Sequence, residues 1–424
     1  MMLAILLVMF VTLLLAGVPL AYTFCSASFL SAWASGSINP VLLIQKFFNS
    51  MDSFTFLAIP LFLLSGNIMN ETGITKKIVA FANSLVGQFY GGLAQTTTLA
   101  GMLMAGISGS SNADATAIGS LMLPPLREAG YDEGFRVSLV SACAVLGPII
   151  PPSLLMIVYA GVSTISVGQF FMAGIIPGIG LGLMYMVYSY IYARRHNIQR
   201  TAFKGWKNVG TCFVGAIGAL IMPLIIIGGI LTGIVTATEA GILAVMYGIV
   251  YGVITKCLSW KLLDKCLRET LSATVGSILV ICFANLIGYI FTKANLPVMM
   301  MRMFTGITNN PHLVLCLIVL LLILMGMFID ANAIILMMVP VLTPLINSLG
   351  INPLYFAMVF LLAVDTGGLT PPVGLVLYIV SGIENVNIKE PCKKIWMFVG
   401  LMFLMDVMII FFPQLALWIP SAMN

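Results

Sequence analysis

The sequence predicts an all-α polytopic membrane protein of two inverted-topology repeats, each with a re-entrant hairpin and a broken transmembrane helix. Three observations predict it. Charged residues are 8% of the 424 positions and the hydrophobic set is 60%, too apolar for a water-facing surface. A pattern of helix-breaking residues recurs without a gap at a shift of 220 positions, the distance from Pro151 to Pro371. Sixteen of the 19 lysines and arginines gather in five segments that fall on one side of the membrane once spans are drawn.

The recurrence runs from Gly106–Pro152 to Gly326–Pro372. It matches Gly106 with Gly326, Asn112 with Asn332, Ala113 with Ala333, Pro124 with Pro344, Gly130 with Gly350, Gly147 with Gly367, and Pro151-Pro152 with Pro371-Pro372. Chance in a glycine-rich chain is the alternative, but the matched residues are those that interrupt helices and expose backbone groups inside a membrane. Residues 1–210 are read as the first repeat, with a hairpin at about 95–128 and a broken helix at 135–161. Residues 211–424 are the second, with a hairpin at about 312–348 and a broken helix at 355–382.

Taken in order, Met1 to Ala34 is apolar but notched at Gly17-Val18-Pro19, which predicts two short helices; it lacks a basic n-region and reads as a span, not a cleaved signal. Val41 to Asn49 is amphipathic, and Phe54 to Met69 is an apolar run closed by Asn70-Glu71-Thr72-Gly73. Leu99–Ile107 and Ala115–Leu126 flank a polar tip, as Leu315–Ile329 and Ala333–Ile346 do. Arms of about 12 to 15 residues reach only partway, at ~1.5 Å per residue, so they are read as re-entrant hairpins. Ordinary short spans with outside loops remain the alternative. Phe135–Gly161 and Tyr355–Gly382 are broken at Gly147–Pro152 and Gly367–Pro372, where paired prolines remove two donors and unwind the helix. Phe170–Tyr192 and Ile395–Phe412 close the halves. Cys212–Ile230 and Ala237–Ile254 read as paired helices, Ser259–Glu269 as an interfacial helix and Val275–Phe291 as the next span.

Five crossings per half plus a hairpin make an odd number and invert the second half. Segments 76–77, 127–136, 194–207, 256–268 and 389–394 then share the basic face, and Lys46, Lys293 and Arg302 lie opposite. The positive-inside rule makes the basic face cytoplasmic and puts both termini on the other side. The net charge of +5 thus informs topology and offers nothing to nucleic acid. Eight scattered cysteines form no C-x-x-C pair and read as apolar packers; with only His196 and His312, and no metalloprotease, serine-hydrolase or ATP-binding motif, the chain is not read as an enzyme.

Carboxylates inside apolar runs need a reason. Ser108, Ser110, Asn112 and Asp114 crowd the first tip with hard oxygen donors, and Asp330 and Asn332 sit at the second, facing Asp365, Thr366, Gly367 and Thr370 on a stretch read as unwound. Two alkali-cation sites are expected, one per half. Asp114 reads equally as a ligand or as a first-turn carboxylate, with Ser110 or Asn112 as cap. Returning arms beginning near Asn112 and Asn332 bring positive helix ends together, so a small carboxylate would sit between them, against Ser110, Ser111, Asn112, Asn332, Thr370 and the proline pairs at Pro152 and Pro372. Glu239 reads as a helix cap, Asp406 as meeting a partner subunit or an interfacial base, and Gly174, Gly178 and Gly182 as a packing stripe.

Leu64–Met69, Ile107–Ala115, Ile150-Pro151-Pro152-Ser153, Thr238-Glu239-Ala240 and Leu369–Gly374, in this order along nearly the whole chain, resemble the DctM-type large membrane subunit of tripartite ATP-independent periplasmic (TRAP) transporters. The resemblance implies sodium-coupled import of a carboxylate in a bacterial inner membrane, by an elevator in which a transport domain moves against a scaffold. It implies as partners a small four-helix membrane subunit and a periplasmic binding protein, and substrates such as sialic acid, other sugar acids or C4-dicarboxylates; a sugar acid is put first. By the same resemblance, one sodium ion would lie among Ser108–Asn112 and the break at Gly147 and Ile150. A second would lie among Asp330, Asn332 and residues 366–371. Pro148-Ile149-Ile150 stands where the second break has Gly368-Leu369-Thr370, so the first site lacks a hydroxyl before its prolines. A channel or a scaffold subunit without coupled transport is the alternative.

Overall fold

The computed structural model describes residues 2–36, 38–198, 200, 202–308 and 310–422; Met1 and residues 423–424, the termini expected opposite the basic face, lie outside them. The described residues are helical with no strand.

Local chemistry sets most boundaries. Helices α1 (Met2–Leu15) and α2 (Leu20–Ser35) separate at Gly17, whose φ of +77° suits a residue without a Cβ. Asn39-Pro40 opens α3 (Pro40–Met51), with the Asn39 side chain accepting from Val41 N–H and proline at a position that needs no donor. A single turn at Phe54–Leu57 leads into α4 (Ala58–Glu71), followed by α5 (Ile74–Val86). The first hairpin is α6 (Gly92–Ser108) and α7 (Ser111–Glu128). The first broken helix is α8 (Glu133–Ala144), capped by Asp132, and α9 (Leu154–Val162). A long helix, α10 (Val167–Arg195), closes the half.

The second half runs α11 (Trp206–Leu231), α12 (Ala237–Ile254), α13 (Trp260–Lys293) and α14 (Leu296–Ile307). Its hairpin is α15 (Pro311–Gly326) and α16 (Ala331–Ser348); its broken helix is α17 (Pro353–Leu369) and α18 (Leu375–Glu384). α19 (Lys389–Phe411) and α20 (Gln414–Ser421) end it. Asn310-Pro311 and Asn352-Pro353 start α15 and α17 as Asn39-Pro40 starts α3. Helices α7 and α16 begin 220 positions apart, as do α8 and α17, and both proline pairs are cis.

Among the described residues seven helices are long and apolar enough to cross a membrane, and the chain is a multi-pass membrane protein. Its core joins the two halves: Tyr159 of α9 packs edge-on against Phe170 of α10 at 5.3 Å and Phe360 of α17 at 5.4 Å.

Four expectations are corrected. Residues 259–269 and 275–291 are one continuous 34-residue helix, because nothing between Glu269 and Gly276 breaks it, whereas Asp52-Ser53 does end the corresponding helix α3. At ~1.5 Å per residue α13 extends well beyond a ~30 Å hydrocarbon layer. The hairpin arms are 16 to 18 residues long, longer than read from their apolar stretches. Asp365, Thr366 and Gly367 are not unwound: α17 persists to Leu369 and breaks only at 370–374, since proline disfavours helix at the residue before it and not four residues earlier. Asp406, expected at a partner or an interface, is fully buried inside the fold.

Candidate functional site

At the first tip, α6 ends at Ser108 and the chain turns through Gly109 with φ +59°. The tip is docked onto the first break: Leu154 N–H donates to the Gly109 carbonyl at 3.2 Å. Ser108 donates its hydroxyl to Asp114 Oδ1 at 2.6 Å and accepts from Ser110 N–H at 3.2 Å. Asp114 is fully buried and its Oδ2 has no partner. That oxygen stands 2.6 Å from where a Cβ on Gly147 would lie, so the glycine makes room for it. Asp114 stands in the first turn of α7, where a carboxylate suits the helix end, and its hydrogen bond is to Ser108; Ser110 is the N-cap and makes no side-chain cap bond.

The second tip is built differently. Asp330 is the N-cap of α16, and its Oδ1 accepts from both Asn332 N–H and Asn332 Nδ2 at 3.0 Å. Thr366 donates to the Leu362 carbonyl at 2.7 Å and lies 3.3 Å from Asp406 Oδ2; Thr370 donates to the Thr366 carbonyl at 2.6 Å. Asp365 is buried with Oδ2 unpartnered.

One cavity of about 560 Å³ brings the tips together. Of the residues read from the sequence, Ser110, Ser111, Asn112, Asp330, Asn332 and Asp365 line it. The others sit behind the wall or beside it: Ser108 and Gly147 around Asp114, and Ile150 against Gly178. Pro152 places its carbonyl on Gly109, Thr366 and Thr370 are bonded along α17, Gly367 presses on Gly326, and Pro372 is exposed. The far wall, which sequence reading missed, is Ile59, Leu63 and Asn67 of α4 and Glu269 to Val280 of α13. Asn67 belongs to the Leu64–Met69 stretch, and it ties α4 to α13 by donating to Thr270 at 2.9 Å. Elsewhere the readings of Glu239 and the glycine stripe hold: Glu239 completes a capping box with Thr236, and Gly174, Gly178 and Gly182 receive Met156, Ile150 and Met102.

Helix ends supply the electrostatics. N-termini of α7, α9, α16 and α18 line the cavity and carry partial positive charge, while the C-terminal carbonyls of α6 and α17 and the carboxylates supply negative charge. No group of three or more His, Cys, Asp or Glu placed to hold a metal ion occurs among the described residues. An ion here would take carbonyl, hydroxyl and single-carboxylate oxygens, and the unpartnered oxygens of Asp114 and Asp365 fit a hard monovalent cation.

Residues 7–415 match the family described as the tripartite ATP-independent periplasmic transporter, DctM component. The chain is 34% identical over 419 residues to the sialic acid TRAP transporter large permease protein SiaM of Vibrio cholerae, covering 96% of each. It is 30% identical over 440 residues to the C4-dicarboxylate large permease protein DctM of the same species, covering 99% of this chain and 97% of that one. In fold it is similar to the crystal structure of the YdaH transporter of Alcanivorax borkumensis, with a TM-score of 0.60, 16% identity, and 90% and 88% of the two chains covered. The chain belongs to the DctM family: it is a TRAP transporter large permease subunit, not an enzyme.

Proposed function

We propose that this subunit imports a small carboxylate across a bacterial inner membrane by sodium-coupled secondary transport. The observation that carries the reading is the single cavity in which two hairpin tips, two helix breaks and a two-helix wall converge. Broken helices at membrane depth offer carbonyls to cations and N–H groups to an anion within one site, which is how one gradient is coupled to another solute. One cation would be held near Asp114, Ser108 and Gly147, and a second by Asp365, Asp330 and the free carbonyls ending α17. A sugar acid such as sialic acid, or a C4-dicarboxylate, is the substrate class named for the relatives.

The two halves, 1–210 and 211–424, act as inverted repeats with both termini periplasmic. Hairpins and broken helices move as an elevator against a frame that includes α3, α4 and α13. That frame is cross-tied by Lys265 to Glu71 at 2.6 Å and Asn285 to Ser50 at 2.6 Å. A small four-helix membrane subunit and a periplasmic binding protein that delivers the substrate complete the assembly. Proteoliposomes holding that assembly should take up the carboxylate with a sigmoidal dependence on sodium, since two cations bind per substrate. Uptake equally fast in potassium or choline would refute coupling, and non-saturating flux without a gradient would favour a channel.

A further inference from the structure

Four helix N-termini face the cavity, but only two are open to a ligand. Ser153 Oγ accepts from Met156 N–H and closes α9, while Asp330 closes α16 with its own carboxylate. The N-caps of α7 and α18, Ser110 and Gly374, make no side-chain cap bond. At the 220-residue shift Asp330 falls on Ser110, and Ser153 on Val373, so each half contributes one closed end and one open end.

The two open ends lie side by side. Helices α7 and α18 pack together with Ile383 Cδ1 at 3.3 Å from a Cβ placed on Gly119, and Gly119 and Ile383 each lie eight residues past Ser111 and Leu375. Both starting residues line the cavity, so the helices are parallel and their N-termini level. At the far end Glu384 of α18 is gripped by Arg127 of α7 and Arg136 of α8, each at 2.7 Å, which fixes the pair.

No lysine or arginine among the described residues lines the cavity; its charged residues are Glu269, Asp330 and Asp365. Asp365, 6% exposed with Oδ2 unpartnered, marks where a cation is called for in the same wall. Each helix end offers about half a positive charge, so the parallel pair complements one carboxylate. A second carboxylate would meet neither an open helix end nor a lysine or arginine, only neutral groups such as Ser277 and Asn332 among apolar side chains and acids.

We propose that the substrate is a monocarboxylate with an uncharged body, its carboxylate seated between the N-termini of α7 and α18 and not shared between the two hairpins. This rests on the carboxylate-import reading and narrows it. The test uses the full chain in lipid nanodiscs with sodium chloride at pH 7.5, and ligand-induced shifts of the melting temperature. Sodium pyruvate, gluconate and N-acetylneuraminate serve as monocarboxylate probes, and succinate and malate as dicarboxylates. At least one monocarboxylate should bind at least ~10-fold more tightly than either dicarboxylate. Ser110→Asp, which installs the residue that closes α16, should weaken that binding by at least ~10-fold, and Ser110→Asn, which caps without charge, by less. Dicarboxylate binding as tight as that of the best monocarboxylate, or Ser110→Asp binding like wild type, would overturn this inference while leaving carboxylate import standing. Failure of both probe classes would overturn the import reading, and this inference with it.

Discussion

Gly326 and Gly367 meet backbone to backbone: a Cβ on Gly367 would stand 2.7 Å from Gly326 Cα and 2.5 Å from the Ile323 carbonyl oxygen. Helix α15 therefore crosses α17 at the second tip with no room for a methyl group. Gly368, one residue on, has nothing within 4 Å of a built Cβ. Gly367→Ala should cost about 1–3 kcal/mol as overpacking, read as a lower melting temperature in detergent, and Gly368→Ala should leave it nearly unchanged. Equal effects would show that the crossing is not tight.

Glu384 holds two arginines of unequal exposure. Its own side chain is 2% exposed, that of Arg136 10% and that of Arg127 57%. Arg136 also donates to the Tyr131 carbonyl at 3.0 Å. Removing one partner of a buried pair costs about 3–5 kcal/mol, whereas an exposed pair contributes at most about 1 kcal/mol. Thermal unfolding should therefore rank Glu384→Ala and Arg136→Ala well below Arg127→Ala. A ranking in which Arg127→Ala is as damaging as Arg136→Ala would contradict it.

The sequence made the helix punctuation legible because Gly17, the Asn-Pro pairs and the proline pairs act locally on the backbone. It made Ser110, Asn112, Asp330 and Asp365, which line the cavity, legible as candidates because polar groups stand out in apolar runs. It did not show that α13 is unbroken, since a helix end needs a breaker and Glu269–Gly276 supplies too weak a one. Nor did it place Asp406. Whether a carboxylate on a closing helix faces lipid, a partner or Thr366 is decided by how α19 packs on α17, which no residue pattern within α19 encodes.

Asp330 serves as a cap and is assigned a cation, and two substitutions separate these roles. Asp330→Asn keeps an oxygen that can accept from Asn332 N–H, whereas Asp330→Ala removes it, at a cost of about 1 kcal/mol. Both variants should raise the sodium concentration that half-saturates uptake, as should Asp365→Asn, since Asp365 lines the cavity and its Oδ2 is buried without a partner. Only Asp330→Ala should also lower the melting temperature. If Asp330→Asn transports with wild-type sodium dependence, its charge has no part in the ion site.

The cavity has a direction, and the direction predicts which face reaches the tips. Its far wall is the stretch of α13 from Glu269 to Val280 and the face of α4 that carries Ile59, Leu63 and Asn67. These stretches adjoin the Lys265–Glu71 pair and the basic segments 76–77 and 256–268. On the opposite side the frame touches the second hairpin directly, with a Cβ on Gly288 lying 3.3 Å from the Leu336 carbonyl oxygen. We propose that the cavity opens toward this basic face, which the positive-inside rule would make cytoplasmic. A cysteine replacing Ser111 in a cysteine-free background should react with an impermeant maleimide added at the cytoplasmic face of oriented vesicles and be protected from the other face. Adding sodium and substrate should slow that labelling and let reagent from the periplasmic face reach the tip as the carrier redistributes. Labelling from both faces at once, or at a rate that no ligand changes, would mean that the tips line a continuous pore and do not ride a moving unit.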